Sequence, residues 1–244
     1  MKYALISLSD KDGIIPFAKE LRKLGYKLLA TGGTAQLLKE NNLEVTLIEE
    51  MTGFSEILNG RVKTLHPKIY GGILADRDNN DHLKQLEELL IDLIDIVVVN
   101  LYPFQKLFKE IGSNKSSSHR EMIENIDIGG VTLLRAAAKN YRYVTVLSDR
   151  DDYDRFLREL NETGEISNET RLNLAHKAFA TTSSYDRYIN LYLSQLDNND
   201  SSDLFLFPDW EKQELRYGEN PHQSGLFLSP GNNNLITKLH GKQL

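Results

Sequence analysis

Cysteine is absent from the 244 residues of this chain, which excludes disulfides, thiolate nucleophiles and thiolate metal ligands. Long apolar runs are also missing, because the most apolar stretch, residues 94–101, is interrupted by Asp95 and is far too short to span a bilayer. Basic residues are fewer than acidic ones, 29 against 35. The resulting net charge of -6 argues against nucleic acid or an anionic membrane as the main partner.

Histidine is too scattered to form a local metal motif. The six histidines stand at positions 66, 82, 119, 176, 222 and 240, and no two have a usual ligand spacing. We therefore expect no metal site. The N-terminus runs from Met1 and Lys2 straight into a strand-like segment without a cleavable apolar region, so we expect a cytoplasmic protein.

Short apolar runs alternate with amphipathic helical patterns in the first 150 residues. Strands are predicted at 3–7, 27–30, 43–48, 96–100 and 143–147. Helices are predicted at 13–24, 34–40, 81–90 and within 126–140. This alternation indicates an α/β fold with a mainly parallel sheet and helices on both faces.

A helical extension and a short tail are predicted to follow the sheet. Residues 168–196 have the pattern of one long helix or a helical pair, in which a stripe of Tyr185, Tyr188 and Tyr192 favours packing over chemistry. Residues 197–203 are a polar linker. We therefore predict a domain at 1–196, the linker, and a separate segment at 204–244.

Two loops that follow predicted strands have the composition of a phosphate site. Ligands of parallel sheets bind beyond the carboxyl ends of strands, where hydroxyls and a lysine occur at 7–13 and a Thr-Gly-Gly-Thr turn occurs at 31–34. Glycines allow close backbone approach, and each loop opens a helix whose N-terminus favours an anion. A glycine turn with a threonine N-cap explains the second loop equally well.

Two further loops carry polar side chains. Residues 60–67 contain Arg61, Lys63 and His66, which also fits a solvated basic turn. Residues 100–104 place an asparagine and a tyrosine after the most strand-like run, although the tyrosine and the next proline also suit packing against a helix. Four such loops, converging with the segment described next, point to a shared ligand site.

Residues 126–140 combine an acid, a glycine pair and a segment of residues that strongly favour a helix. Asp127 precedes Gly129 and Gly130, while Arg135 and Lys139, four residues apart, share a helix face. The glycine pair lets backbone amides face a ligand at the helix mouth. A capped amphipathic helix without a ligand is the alternative.

These motifs resemble the N-terminal half of the bifunctional purine biosynthesis proteins, which join IMP cyclohydrolase to AICAR (phosphoribosylaminoimidazole carboxamide) formyltransferase. The matching segments are 9–11, 31–34, 52–54, 61–67, 100–104 and 126–140, in the family's order along essentially the whole chain. The resemblance implies a methylglyoxal-synthase-like domain. It also implies ring closure of formyl-AICAR to inosine monophosphate (IMP) with loss of water, a homodimer in the full-length family, and no cofactor for this step.

The resemblance further implies roles for individual residues. Lys63 would stabilise the formyl oxygen, Asp127 would orient or deprotonate the carboxamide nitrogen, and Lys139 with Tyr102 would complete a proton relay. The expected substrate contacts are Ser7, Ser9, Asp10, Lys11, Thr31, Gly32, Gly33, Thr34, Arg61, Thr64, Val99, Asn100, Ile128 and Gly129. Asp127 and Lys139 would stand roughly 18 Å apart in a continuous helix, so a shared site requires a break at the glycine pair.

The tail at 215–223 resembles the opening of the formyltransferase half, in which Arg216 and Tyr217 are similar to substrate contacts. Residues 204–244 are too few to bury a separate core, so we expect no formyltransferase activity, whose co-substrate in the family is 10-formyltetrahydrofolate. Two other functions remain open. One is a methylglyoxal-synthase-type phosphate lyase, and the other is a non-catalytic nucleotide-binding regulatory module.

Overall fold

The structure, a computed structural model, describes residues 2–111, 119–196, 210–215 and 225–230. The chain divides into two units, Met1–Tyr185 and Asp186–Leu244. The division falls inside the long C-terminal helix rather than at the predicted linker, whose residues 197–203 lie outside the described part of the chain.

A parallel sheet of five strands forms the centre of the first unit. The strands are β1 (Lys2–Leu8), β2 (Tyr26–Ala30), β3 (Val45–Leu47), β4 (Ile96–Asn100) and β5 (Thr145–Leu147). Their order is β3-β2-β1-β4-β5, and every neighbouring pair is parallel. The predicted α/β sheet is confirmed, with strand ends within two residues of the expected positions.

Helices cover both faces of this sheet. Those before β4 are α1 (Ile14–Lys23), α2 (Gly32–Glu40), α3 (Ile48–Thr52), α4 (Pro67–Leu74) and α5 (Asn80–Glu88). Those after it are α6 (Phe104–Ile111), α7 (His119–Glu124), α8 (Gly129–Lys139), α9 (Tyr153–Thr163) and α10 (Asn168–Leu196). The predicted extension is thus one continuous helix. None of the described helices has both the length and the apolar character needed to cross a bilayer.

Burial on both faces explains the strand sequences. Residues 96–99 of β4 are fully buried, as expected for an internal strand whose sequence is the continuous apolar run Ile-Val-Val-Val. On one covering helix, α1, the buried residues are Ile14, Phe17, Ala18 and Leu21, which share one face at helical spacing. Phe17 stacks on Tyr153 with 4.2 Å between ring centroids, which fixes α9 against α1.

In the second unit, the described residues outside α10 form an antiparallel hairpin. Its strands are β6 (Trp210–Leu215) and β7 (Gly225–Pro230), paired from Trp210 with Pro230 to Leu215 with Gly225. Arg216 and Tyr217, the predicted formyltransferase contacts, lie outside the described residues.

Candidate active site

A cavity of about 660 Å³ opens at the carboxyl end of the sheet, within the unit Met1–Tyr185. The strand order reverses at β1, because the chain runs from β1 through β2 to β3 on one side and then crosses back to β4 on the other side. Such a reversal is the usual ligand position in open parallel sheets. Its volume suits a nucleotide-sized molecule. The expected site residues that line it are Ser7, Ser9, Lys11, Thr31, Gly33, Thr34, Arg61, Lys63, Thr64, Asn100, Tyr102, Asp127, Ile128 and Gly129.

One end of the cavity has the features of an anion site. Helix α2 begins here after its N-cap Thr31, and the first amide groups of a helix have no intrahelical acceptor. Lys11 lies over this turn, since its Cε is 3.7 Å from the position that a Cβ would occupy at Gly33. Ser7 Oγ and Thr31 Oγ1, 3.2 Å apart, add two hydroxyls. A phosphate at this point meets a helix N-terminus, an ammonium group and hydroxyl donors.

Asn100 and Thr34 hold the loop that carries Lys11. Asn100 Oδ1 accepts the N–H groups of Ser9 at 2.7 Å and Asp10 at 3.1 Å, and its Nδ2 donates to the Asp10 carbonyl at 2.6 Å. Thr34, which is 2% exposed, donates its hydroxyl to the Leu8 carbonyl at 3.3 Å and accepts the Leu8 N–H at 3.2 Å. Both side chains are therefore engaged in shaping the loop, although both border the cavity.

Asp127 caps the helix that closes the opposite side. Its Oδ1 accepts the Gly130 N–H at 2.7 Å, and helix α8 begins two residues later at Gly129, after its N-cap Ile128. Burial raises the pKa of the Asp127 carboxyl, while the N–H groups of Gly130 and Tyr102 act in the opposite direction. The site thus holds a carboxylate whose proton affinity is increased by its surroundings.

The glycine pair is needed because other groups crowd both positions. A Cβ at Gly130 would lie 2.5 Å from Asp127 Oδ2 and 2.9 Å from Leu101 Cδ2. A Cβ at Gly129 would lie 2.8 Å from Thr64 Oγ1. The glycines therefore let the capping carboxylate and the 61–67 loop approach the helix mouth.

Lys63 is held at the edge of the cavity by an acid that the sequence did not suggest. Its Nζ lies 3.0 Å from Glu56 Oε2, in an ion pair with both side chains partly exposed. Gly60, at φ 84°, permits this arrangement, because a Cβ there would lie 2.4 Å from Lys63 Cε. The same Nζ is 3.6 Å from the position of a Cβ at Gly32, which places Lys63 beside the α2 N-terminus.

Two further contacts border the opening. Arg61 forms a two-point ion pair with Glu124 of α7, so one of the expected substrate contacts is already paired with an acid. Tyr102 is 48% exposed and lines the cavity. Its ring is accessible to a ligand.

A hydroxyl network supports the helix mouth from behind. Tyr70 donates to Thr132 Oγ1 at 2.7 Å, and the Thr132 hydroxyl lies 2.9 Å from the Ile128 carbonyl and 3.0 Å from the Gly129 carbonyl. Burial raises the pKa of Tyr70, which keeps it a hydroxyl donor. Neither residue was expected, because nothing in the linear sequence marks α4 as a neighbour of α8.

Lys139 is not brought to this cavity, and the expected direct role has no geometric support here. Helix α8 runs without a break from Gly129 to Lys139, ten residue steps that separate its ends by roughly 15 Å. The break occurs before Gly129, so it places Asp127 at the cavity and leaves Lys139 at the far end. Lys139 instead borders a second cavity of about 580 Å³ with Arg135, His176 and Phe179.

Three other expected substrate contacts do not line the main cavity either. Val99 is 1% exposed in β4 and is absent from the cavity wall. Asp10 accepts the Asp12 N–H at 3.0 Å and is likewise absent from the wall. Gly32 borders a small adjoining space with Lys63.

Among the described residues, no group of three or more histidine, aspartate and glutamate side chains is placed to hold a metal ion.

Sequence comparisons agree with this geometry. The MGS-like domain model matches residues 13–132, and the model of the AICARFT/IMPCHase bienzyme matches residues 137–244. The solved structure titled "Crystal structure of ForH" has a TM-score of 0.68 and 35% identity, covering 78% of this chain and 95% of that one. The parallel sheet and its edge cavity therefore define a protein built on an MGS-like domain.

Two curated relatives identify the family within the proteins that contain an MGS-like domain. The bifunctional purine biosynthesis protein PurH of a Thermoanaerobacter species is 51% identical over 247 residues, which is 100% of this chain and 48% of the relative. PurH of Persephonella marina is 48% identical over 249 residues, 99% of this chain and 47% of the relative. The chain belongs to the bifunctional purine biosynthesis protein family and spans about half the length of the curated relatives it matches.

Proposed function

We propose that this chain is an IMP cyclohydrolase that closes the ring of formyl-AICAR to IMP with loss of water. The observation that carries the proposal is one cavity that combines the anion site at Thr31 and Lys11 with a partly buried carboxylate and a lysine, Asp127 and Lys63. The carboxamide nitrogen attacks the formyl carbon of the same molecule. One proton leaves the carboxamide nitrogen, a second leaves the formamide nitrogen, and both depart with the formyl oxygen as water.

Positioning is the first requirement of this reaction. An amide nitrogen is a weak nucleophile and a formamide a weak electrophile, so the two groups must be held in contact. In this proposal the phosphate binds at the α2 N-terminus beside Lys11, and the ring points toward the α8 mouth. The cavity spans both features.

Proton transfer is the second requirement. Asp127, with its raised pKa, is suited to accept the carboxamide proton, because a base closer to neutrality is more effective. Lys63 donates toward the formyl oxygen as negative charge develops there, and Tyr102 at the cavity wall is within the same space. No cofactor is needed for these steps, and the cytoplasmic location expected from the sequence stays a prediction.

The deciding experiment is conversion of formyl-AICAR by the purified chain, followed by absorbance and chromatography of IMP. Formation of IMP supports the proposal. Release of methylglyoxal and phosphate from dihydroxyacetone phosphate would instead support the lyase alternative, and binding without turnover would support a regulatory module. A parallel assay with AICAR and 10-formyltetrahydrofolate tests the expectation that these 244 residues do not transfer a formyl group.

Removing the ammonium group of Lys11 tests the proposed phosphate end. A hydrogen bond to a charged group contributes about 1.5–3 kcal/mol, so Lys11→Ala should weaken IMP binding about 10- to 100-fold. Calorimetric titration with IMP measures the effect, and exposed Lys19 on α1 provides the matched control, Lys19→Ala. Equal affinities for Lys11→Ala and the unaltered chain would place the phosphate elsewhere.

A further inference from the structure

Tyr185 joins the helical extension to the turn that carries Asp127. Its side chain projects from α10 and is 7% exposed. The phenolic oxygen accepts the backbone N–H of Asp127 at 2.8 Å and donates to the carbonyl of Asn125 at 2.8 Å. One buried hydroxyl thus satisfies a donor and an acceptor on both sides of Ile126, immediately before the capping carboxylate.

The ring of Tyr185 supports a second loop of the site. It meets Phe104 edge-on, with 6.0 Å between ring centroids. Phe104 is fully buried and begins α6, two residues after Tyr102, whose carbonyl accepts the Phe104 N–H at 2.8 Å. The Asp127 turn and the Tyr102 loop therefore rest on the same side chain.

We propose that Tyr185 is a positioning residue for ring closure, fixing Asp127 against the reacting carboxamide. The proposal rests on the proposed cyclohydrolase function. Tyr185 lies outside the MGS-like match at 13–132 and within the AICARFT/IMPCHase match at 137–244. The extension thus helps to hold a cavity whose lining, among the residues that the structure describes, comes from positions 7–130.

Loss of the hydroxyl has a defined physical consequence. Tyr185→Phe keeps the ring against Phe104 but removes the partner of the Asp127 N–H and of the Asn125 carbonyl. A turn with two unpaired backbone groups moves to reach water, and displacements near 1 Å reduce rates by about 100-fold in well-aligned sites. Water entering beside Asp127 also lowers its raised pKa toward the ordinary value.

The test compares Tyr185→Phe with Tyr153→Phe, which removes the hydroxyl of another buried tyrosine away from the cavity. For Tyr185→Phe we expect kcat to fall about 10- to 100-fold with KM within about threefold, and the acid limb of the kcat–pH profile to move to lower pH. Tyr153→Phe should change neither quantity. Equal losses in both variants, or a fall in kcat without a shift of the acid limb, would overturn the proposal.

A second measurement separates this proposal from the proposed function. Amide hydrogen exchange at Asp127 should become faster in Tyr185→Phe and stay unchanged in Tyr153→Phe, whether or not the chain turns over formyl-AICAR. If the unaltered chain forms no IMP, the cyclohydrolase proposal fails and the positioning role in that reaction fails with it. The exchange result then still reports whether Tyr185 fixes the turn. If amide exchange at Asp127 were unchanged in Tyr185→Phe, Tyr185 would not hold the turn that carries Asp127.

Discussion

Replacing Asp127 by asparagine should lower the cyclohydrolase kcat by about 100- to 10,000-fold, the range of a general base. The asparagine oxygen can still accept the Gly130 N–H that Asp127 accepts at 2.7 Å, so the start of α8 is kept. What is lost is the ability to take a proton from the carboxamide nitrogen. Substrate binding should change far less, because the phosphate end of the cavity is untouched.

The same variant should be at least as stable as the unaltered chain at neutral pH. Burial raises the pKa of the Asp127 carboxyl in the folded chain, so the folded state binds this proton more tightly than the unfolded state does. The resulting stabilisation is full below the ordinary carboxyl pKa and is lost as pH rises through the raised value. Asparagine does not titrate, so its relative advantage grows over that window.

Urea unfolding at about pH 4 and about pH 8 measures this difference, alongside steady-state kinetics on formyl-AICAR. The matched control is Asp154→Asn, an exposed acid on α9 away from the cavity. We expect the control to keep its kcat, with a loss of stability of at most about 1 kcal/mol, because Asp154 lies in the first turn of α9. A variant at Asp127 that retains activity within about threefold would remove the carboxylate from the mechanism.

The sheet was predictable because its strands are buried on both faces. An internal parallel strand is a short continuous apolar run, as in β4, and the helices between such runs are long enough to show a 3.6-residue period. Helices α3, α4, α6, α7 and α9 were not predicted, although α6 and α9 are both amphipathic. Their positions depend on what they pack against.

The cavity was predictable to the extent that topology alone creates it. Strand ends at one edge of a parallel sheet must meet, which brought the loops at 7–13, 31–34 and 100–104 to one space. The loop at 60–67 lines the same cavity but follows α3 rather than a strand, so topology alone does not place it there. Side chains from helices that return to this edge carry no such signal. Tyr185 acts on Asp127 through a contact that no local pattern encodes, whereas Glu56 reaches Lys63 across the short turn closed by the Ile57–Val62 bridge.

Lys139 shows the limit of reading a motif as a single site. The segment 126–140 is one motif in sequence, but its two ends face different cavities because the helix between them is unbroken. The expected break at the glycine pair lies just before it instead, because α8 begins at Gly129 with Ile128 as its N-cap. A motif that contains a three-turn helix can therefore contribute only its first residues to a compact ligand.

Lys63 should be the other residue whose loss most reduces turnover. Removing one donor to a developing oxyanion costs about 100- to 1,000-fold in kcat, so Lys63→Ala should fall in that range. Lys63→Arg should recover part of the loss, because it keeps the charge but not the compact ammonium. Lys68→Ala, on the adjoining α4 and away from the cavity wall, is the control that should retain turnover.

Glu56 decides how this loss is interpreted. The pair at 3.0 Å is partly exposed on both sides, and such pairs contribute little to stability, so Lys63 can exchange Glu56 for the substrate oxygen at small cost. Glu56→Gln should therefore keep kcat within about fivefold, whereas Lys63→Ala does not. If Glu56→Gln lowered kcat as much as Lys63→Ala, the intact ion pair rather than the free ammonium would be the acting group. Steady-state kinetics of the two single variants distinguishes these cases, and the double variant measures how strongly the two side chains are coupled.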